Sequence, residues 1–268
     1  MNNKLQELIA DFDLITGIAL DLSQHFDGVE TDNRRGKVST YYLAKMVPEC
    51  MSILRLLPGS RYTDVGALFD FPSFCSVSRN LIEASNLHWY YCIDNISAEI
   101  SEFRFLLYDY HDYRSMIHVG ELIGVDESSL KVLREKYSEL KNTIKFDSTF
   151  NNISADVQRQ ILKGRKCSDI DHPEMTMRRG LDVEEFRGMY KLLSTNTHST
   201  PFAINTLVDV RLKEDGGHEA FANLIFPYVM AFVADTIRTT GLAWGIEFAK
   251  KESEEIIARY SVDFWVNT

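Results

Sequence analysis

Residues 126–144 read DESSLKVLREKYSELKNTI. Within them Leu130, Leu133, Tyr137, Leu140 and Ile144 recur at steps of three, four, three and four. That spacing puts all five on one side of an α-helix, because the helix turns once in 3.6 residues. A strand would divide the set between its two faces, since its side chains alternate. Asp126 stands just ahead of the repeat, where a short carboxylate can accept a bond from an N–H of the first turn.

The same periodicity extends in both directions. On the N-terminal side, residues 97–118 place Ile100, Phe103, Leu106, Leu107, Tyr110, Tyr113 and Ile117 along one side. Pro72 opens a helix that runs to about Ile93, apolar almost all round and therefore expected at the centre. Residues 37–57 predict a helix that contains Pro48 and is closed by Pro58-Gly59. Residues 2–26 carry a stripe from Leu5 to Leu22. On the C-terminal side, Asp182 with Glu185 resembles a capping box and starts a helix at Val183, which Pro201 ends. Gly216-Gly217 reads as a turn, followed by a long helix over 218–251, kinked at Pro227, and a last helical stretch over 252–266. Residues 146–182 are the least regular part. They predict a short helix at 153–163 in an otherwise irregular, mobile segment.

Strand alternation is scarce, and no linker or repeat divides the chain. The expected fold is all-α: a single helical domain over 1–268, a bundle of seven to nine helices with long central and C-terminal members.

The 268 residues include 29 Lys+Arg against 39 Asp+Glu, a net charge of −10. This argues against broad non-specific binding to nucleic acid or an anionic membrane. The most apolar run, 220–234, is too short to span a bilayer and holds Asn223 and Pro227, so it reads as a core helix. No signal-peptide pattern opens the sequence. Cys50, Cys75, Cys92 and Cys167 form no CxxC pair, which fits a reducing cytoplasm.

Several polar constellations stand out. Arg79 and Glu83, four apart on the central helix, can meet on one face. Arg104, Tyr108, His111, Ser115 and His118 form a polar stripe at steps of four, three, four and three. Its two histidines lie about 10 Å apart along the axis, too far to share a metal ion, and no metal site is expected. Tyr190 to Pro201 is the most informative stretch. With Arg187 just before it, Lys191, Ser194 and His198 share one helical face if the helix persists that far, and a histidine among small hydroxyl residues just before a proline is where a chain can present a general base or acid. From Arg159 to Arg179 six basic residues (Arg159, Lys163, Arg165, Lys166, Arg178, Arg179) outnumber three acidic ones, a local excess suited to phosphate or to plain solvation. No GxGxxG, Walker loop, HExxH or zinc-finger spacing occurs, so no cofactor is expected.

Ser78-Arg79-Asn80-Leu81-Ile82-Glu83, Phe103-Arg104 and the run Tyr190 to His198 together resemble a family of uncharacterised all-helical prokaryotic proteins. That family carries an Arg-x-x-x-Glu pair on one helix and a later Tyr-x-x-x-Ser-x-x-x-His. Its build is similar to HEPN-like helical bundles, many of which act in toxin–antitoxin or phage-defence systems. The resemblance implies His198, Arg79 and Glu83 as candidate catalytic residues, and Arg104 joins them as an alternative to Arg79 for steadying a phosphate. Tyr108, His111, Tyr190 and Ser194 stand beside them as candidate ligand contacts. The sequence departs from active HEPN ribonucleases, which carry Arg, four to six residues, then His. Here eight residues separate Arg79 from His88, and three separate Arg114 from His118.

Two readings follow. The favoured one is a non-catalytic sensor or interaction module of a bacterial defence or stress system, a homodimer with the helix over 218–251 as its seam. The alternative is a metal-independent ribonuclease, with His198 taking the ribose 2′-OH proton and Arg79 or Arg104 steadying the phosphate. RNA or a partner protein is the expected partner. No membrane contact and no DNA-binding motif are expected.

Overall fold

Capping side chains fix where several helices begin. In the computed structural model Asp126 Oδ1 accepts from the backbone N–H of Ser129 at 2.9 Å, and the helix runs Glu127–Phe146. Asp182 Oδ1 accepts from Glu185 N at 2.8 Å and opens Val183–Asn196. The structure describes residues 3–27, 29, 31–64, 69–212, 217–247 and 250–263. Gly216 and residues 264–266, which the sequence reading assigned to a turn and a helix, lie outside them.

Among the described residues there are twelve α-helices and no strand. They are α1 (Asn3–His25), α2 (Arg34–Leu56), α3 (Phe71–His88), α4 (Ala98–Ile123), α5 (Glu127–Phe146), α6 (Ser148–Asn151), α7 (Ala155–Leu162), α8 (His172–Arg178), α9 (Val183–Asn196), α10 (Pro201–Leu212), α11 (Gly217–Trp244) and α12 (Lys251–Ala258). The all-α class stands, whereas the count of seven to nine is too low. The additional helices are α6, α8 and α10. Two of them are four and seven residues long, too short to show a hydrophobic period. The third begins at Pro201, which opens a helix instead of closing one. Proline at the first helical position gives up an N–H that has no partner there anyway.

The chain forms two compact units, Met1–Ile93 with His172–Thr268, and Asp94–Asp171. In the first, α11 is the spine. Ile225, Phe226, Val229, Met230, Phe232, Val233 and Ile237 are all buried among apolar side chains of α1, α2 and α3. The helix is long and apolar enough to cross a membrane, and 67% of its most apolar window is buried inside the protein. The π-turn Trp89–Ile93 follows α3 directly.

The second unit is built on the α4–α5 hairpin, closed by Gly124 at φ +78°. Leu130 and Ile144 are buried and Leu133, Tyr137 and Leu140 partly so, so the stripe of α5 points inward as its spacing requires. Phe103, Leu107, Tyr110, Phe150 and Ile161 complete this core.

Candidate functional site

α3 packs against α2, α9 and α11, and its Arg79, Glu83 and Asn86 fall on one side at i, i+4 and i+7. This polar line has an outer, half-exposed part and an inner, buried part.

In the outer part Arg79 Nε donates to Glu83 Oε1 at 2.9 Å and to the Tyr190 hydroxyl at 3.2 Å. Tyr190 donates in turn to the same Glu83 oxygen. The Arg79 guanidinium lies 5.1 Å from the centre of the Tyr190 ring, which stacks on Phe186 at 5.4 Å and on His172 at 6.3 Å. Burial and the Glu83 carboxylate hold the Tyr190 hydroxyl above its ordinary range. For Arg79, burial favours the neutral form, but Glu83 and Tyr190 outweigh it, so the guanidinium stays charged. The three side chains make a closed triangle.

The inner part is a buried polar network. Arg179, which follows α8, is 3% exposed and donates to Asn86 Oδ1 at 2.7 Å, to Ser85 Oγ at 3.3 Å and to Asp235 Oδ2 at 2.6 Å. Arg238 holds the other Asp235 oxygen at 2.8 Å. Burial alone would raise the Asp235 pKa, but the two guanidiniums lower it below the usual carboxylate range. Ser85 Oγ lies 2.8 Å from Thr236 Oγ1, and both reach the Phe232 carbonyl. One turn further along α11, Thr240 donates to Thr236 O at 2.7 Å and lies 3.2 Å from His88 Nε2, which is also 2.8 Å from Ser39 Oγ. His88 Nδ1 is buried without a hydrogen-bond partner. Burial, and secondly the nearby Arg179 charge, push the His88 pKa down to about 3.

The candidate residues separate into three places. Arg79, Glu83 and Tyr190 come together. Ser194 sits one turn beyond Tyr190 on α9, half-buried. His198 lies past the end of α9, exposed, eight residues or about 12 Å of helix rise from Tyr190. Its backbone N–H bonds Thr195 O, and its imidazole makes no hydrogen bond among the described residues. Arg104, Tyr108 and His111 belong to the second unit. There Arg104 is 2% exposed and donates to Asp94 at 2.7 Å, Tyr108 packs edge-on to Phe105, and burial lowers the pKa of half-buried His111. Among the described residues no three His, Cys, Asp or Glu side chains gather as a metal site.

Sequence reasoning did not single out Asp235, Ser85, Asn86 or His88, and it placed Arg179 in a solvated basic run. A charged residue in the apolar α11 was the available signal, since a buried charge requires a partner. Against protein-family models, curated proteins and solved structures, the chain matches none.

Proposed function

We propose that this chain is a non-catalytic helical interaction module. The observation that carries the reading is the closed Arg79–Glu83–Tyr190 triangle, whose polar groups are directed at one another. A general base must reach the proton it removes at about 2.6–3.2 Å or through one water. The exposed His198 stands well away from that cluster along α9, and Arg179, Ser85, Asn86 and His88 of the inner polar network are buried in the core. An interaction role is supported by the end of α4, where Val119, Leu122 and Ile123 stand 53%, 73% and 73% exposed. Apolar side chains grouped in this way mark partner-binding surface.

The test is incubation of the purified protein with labelled total RNA, with and without EDTA, beside His198→Ala and Glu83→Gln. Intact RNA in every lane is expected. Cleavage by the wild type that survives EDTA and disappears in either variant would overturn the proposal.

A further inference from the structure

One side of α4 carries His111, Arg114 and His118, spaced i, i+3 and i+7. Beside it, α7 ends at Leu162 and is followed, past Lys163, by Gly164, whose φ is +66° and whose N–H bonds Ile161 O at 2.7 Å. The Arg114 stem lies directly on this glycine: a Cβ there would sit 2.4 Å from Arg114 Cγ and 3.0 Å from its Cβ. Glycine is therefore required both by the left-handed backbone and by the close approach. The contact brings the chain neighbours of Gly164, Lys163 and Arg165, next to Arg114. The arrangement is held firmly, because Tyr110, stacked on Tyr137 at 4.5 Å, donates its hydroxyl to Leu162 O at 2.8 Å.

Among the described residues Arg114, Lys163 and Arg165 form no ion pair. The other three arginines of this unit, Arg104, Arg134 and Arg159, each hold a carboxylate. Glu121 acts on Arg114 and His118, and Asp112 on His111, but in a chain of net charge −10 the three cations around one glycine, flanked by two imidazoles, still outnumber these carboxylates and form a local anion-binding surface. Guanidinium and imidazole N–H groups suit phosphate oxygens.

We infer that this surface, formed by His111, Arg114, His118, Lys163 and Arg165, binds the phosphate backbone of single-stranded nucleic acid. A duplex presents a long, stiff charged face that the acidic remainder of the protein repels. A flexible strand can set two or three phosphates on the patch and keep the rest away. The bases are left unread, so binding is sequence-tolerant and electrostatic.

The test is fluorescence anisotropy of labelled 15-nucleotide RNA and DNA strands at rising NaCl. With three cations engaged, log K should fall against log salt with a slope of about −2. Arg114→Gln/Lys163→Gln/Arg165→Gln should weaken binding at least about tenfold and flatten that slope. Arg114→Lys, which keeps the charge and the stem on Gly164, should retain binding. Circular dichroism melts check that each variant is folded. Absence of salt-dependent binding by the wild type, equal binding by the folded triple variant, or tighter binding of a polyglutamate peptide than of either strand would overturn the inference. RNA cleavage would overturn the non-catalytic reading and leave this one standing, whereas loss of strand binding would overturn this one alone.

Discussion

Arg179 and Asp235 meet at 2.6 Å in the core of the first unit, with side chains 3% and 13% exposed. Their energetics are asymmetric. If Arg179 is removed, Asp235 keeps Arg238, which is 32% exposed and partly solvated. If Asp235 is removed, Arg179 keeps no carboxylate, only the neutral oxygens of Ser85 and Asn86 and the Phe232 ring at 5.0 Å. Breaking a buried pair from one side is costly because it strands the other charge. Asp235→Leu should therefore cost about 3–5 kcal/mol and Arg179→Met about 1–3 kcal/mol. The double variant should be closer to wild type than Asp235→Leu alone. Urea unfolding of the four proteins measures both the order and the coupling.

His88 makes the first unit sensitive to acid. Its surroundings are Ser39 and Thr240 on Nε2, the Tyr42 ring at 6.0 Å, and the charges of Arg179 and Asp235. Burial lowers its pKa from 6.5 to about 3 in the folded chain, so the folded state resists a proton that the unfolded state accepts. The resulting stability is fully present above about pH 6.5 and is lost as pH falls toward about 3. Between pH 7 and pH 5 the loss from this group should be about 2 kcal/mol, a window in which ordinary carboxylates stay ionised. His88→Gln should lose that part of the slope, whatever its stability at pH 7. Parallel curves for the two proteins would remove His88 as the cause.

Legibility from sequence followed the range of each interaction. The Asp126 and Asp182 caps, the Arg79–Glu83 pair and each step of the α5 stripe span about one turn, and helical spacing alone predicts them. Tyr190 meets Glu83 across 107 residues, and Asp235 meets Arg179 across 56. No local period encodes such a meeting, which depends on which helices pack side by side. The basic run from Arg159 to Arg179 shows the same limit. Its members look alike in sequence, yet Arg159 pairs with Asp156, Arg178 with Glu174 and Arg179 with the core, while Lys163 and Arg165 face solvent. The missing helices were lost for a different reason. α6 and α8 are shorter than the window a period needs, and α10 begins at a proline that can also mark an end.

Gly36 gives a packing prediction free of backbone strain, since its φ is not positive. A Cβ at this position would lie 2.2 Å and 2.5 Å from two carbons of the Trp244 ring, which itself packs on Phe26 at 4.7 Å. The indole would have to shift from its packing on Phe26. Gly36→Ala should destabilise by about 1–3 kcal/mol. In the Trp244→Ala background, where the ring is gone, the same substitution should be close to neutral or stabilising, because alanine favours helix by about 1 kcal/mol over glycine. Thermal melts of the four proteins separate this clash from a general intolerance of α2 to substitution.

Tyr190 joins a hydrogen-bonded hydroxyl to a packed ring, and the two contributions differ in size. Tyr190→Phe removes the bond to Glu83 and the acceptor for Arg79 but keeps the stack on Phe186. Arg79 and Glu83 remain paired at 2.9 Å, each 27% exposed, so water can replace the lost hydroxyl. The expected cost is about 0.5–1.5 kcal/mol. Tyr190→Ala also removes the ring from Phe186, His172 and the Arg79 guanidinium. Its cost should be about 3 kcal/mol or more, since a cavity then opens between α3 and α9. If Tyr190→Phe cost as much as Tyr190→Ala, the hydroxyl would be the dominant element. The triangle would then be a buried polar site and not a partly solvated clasp on a packed aromatic ring.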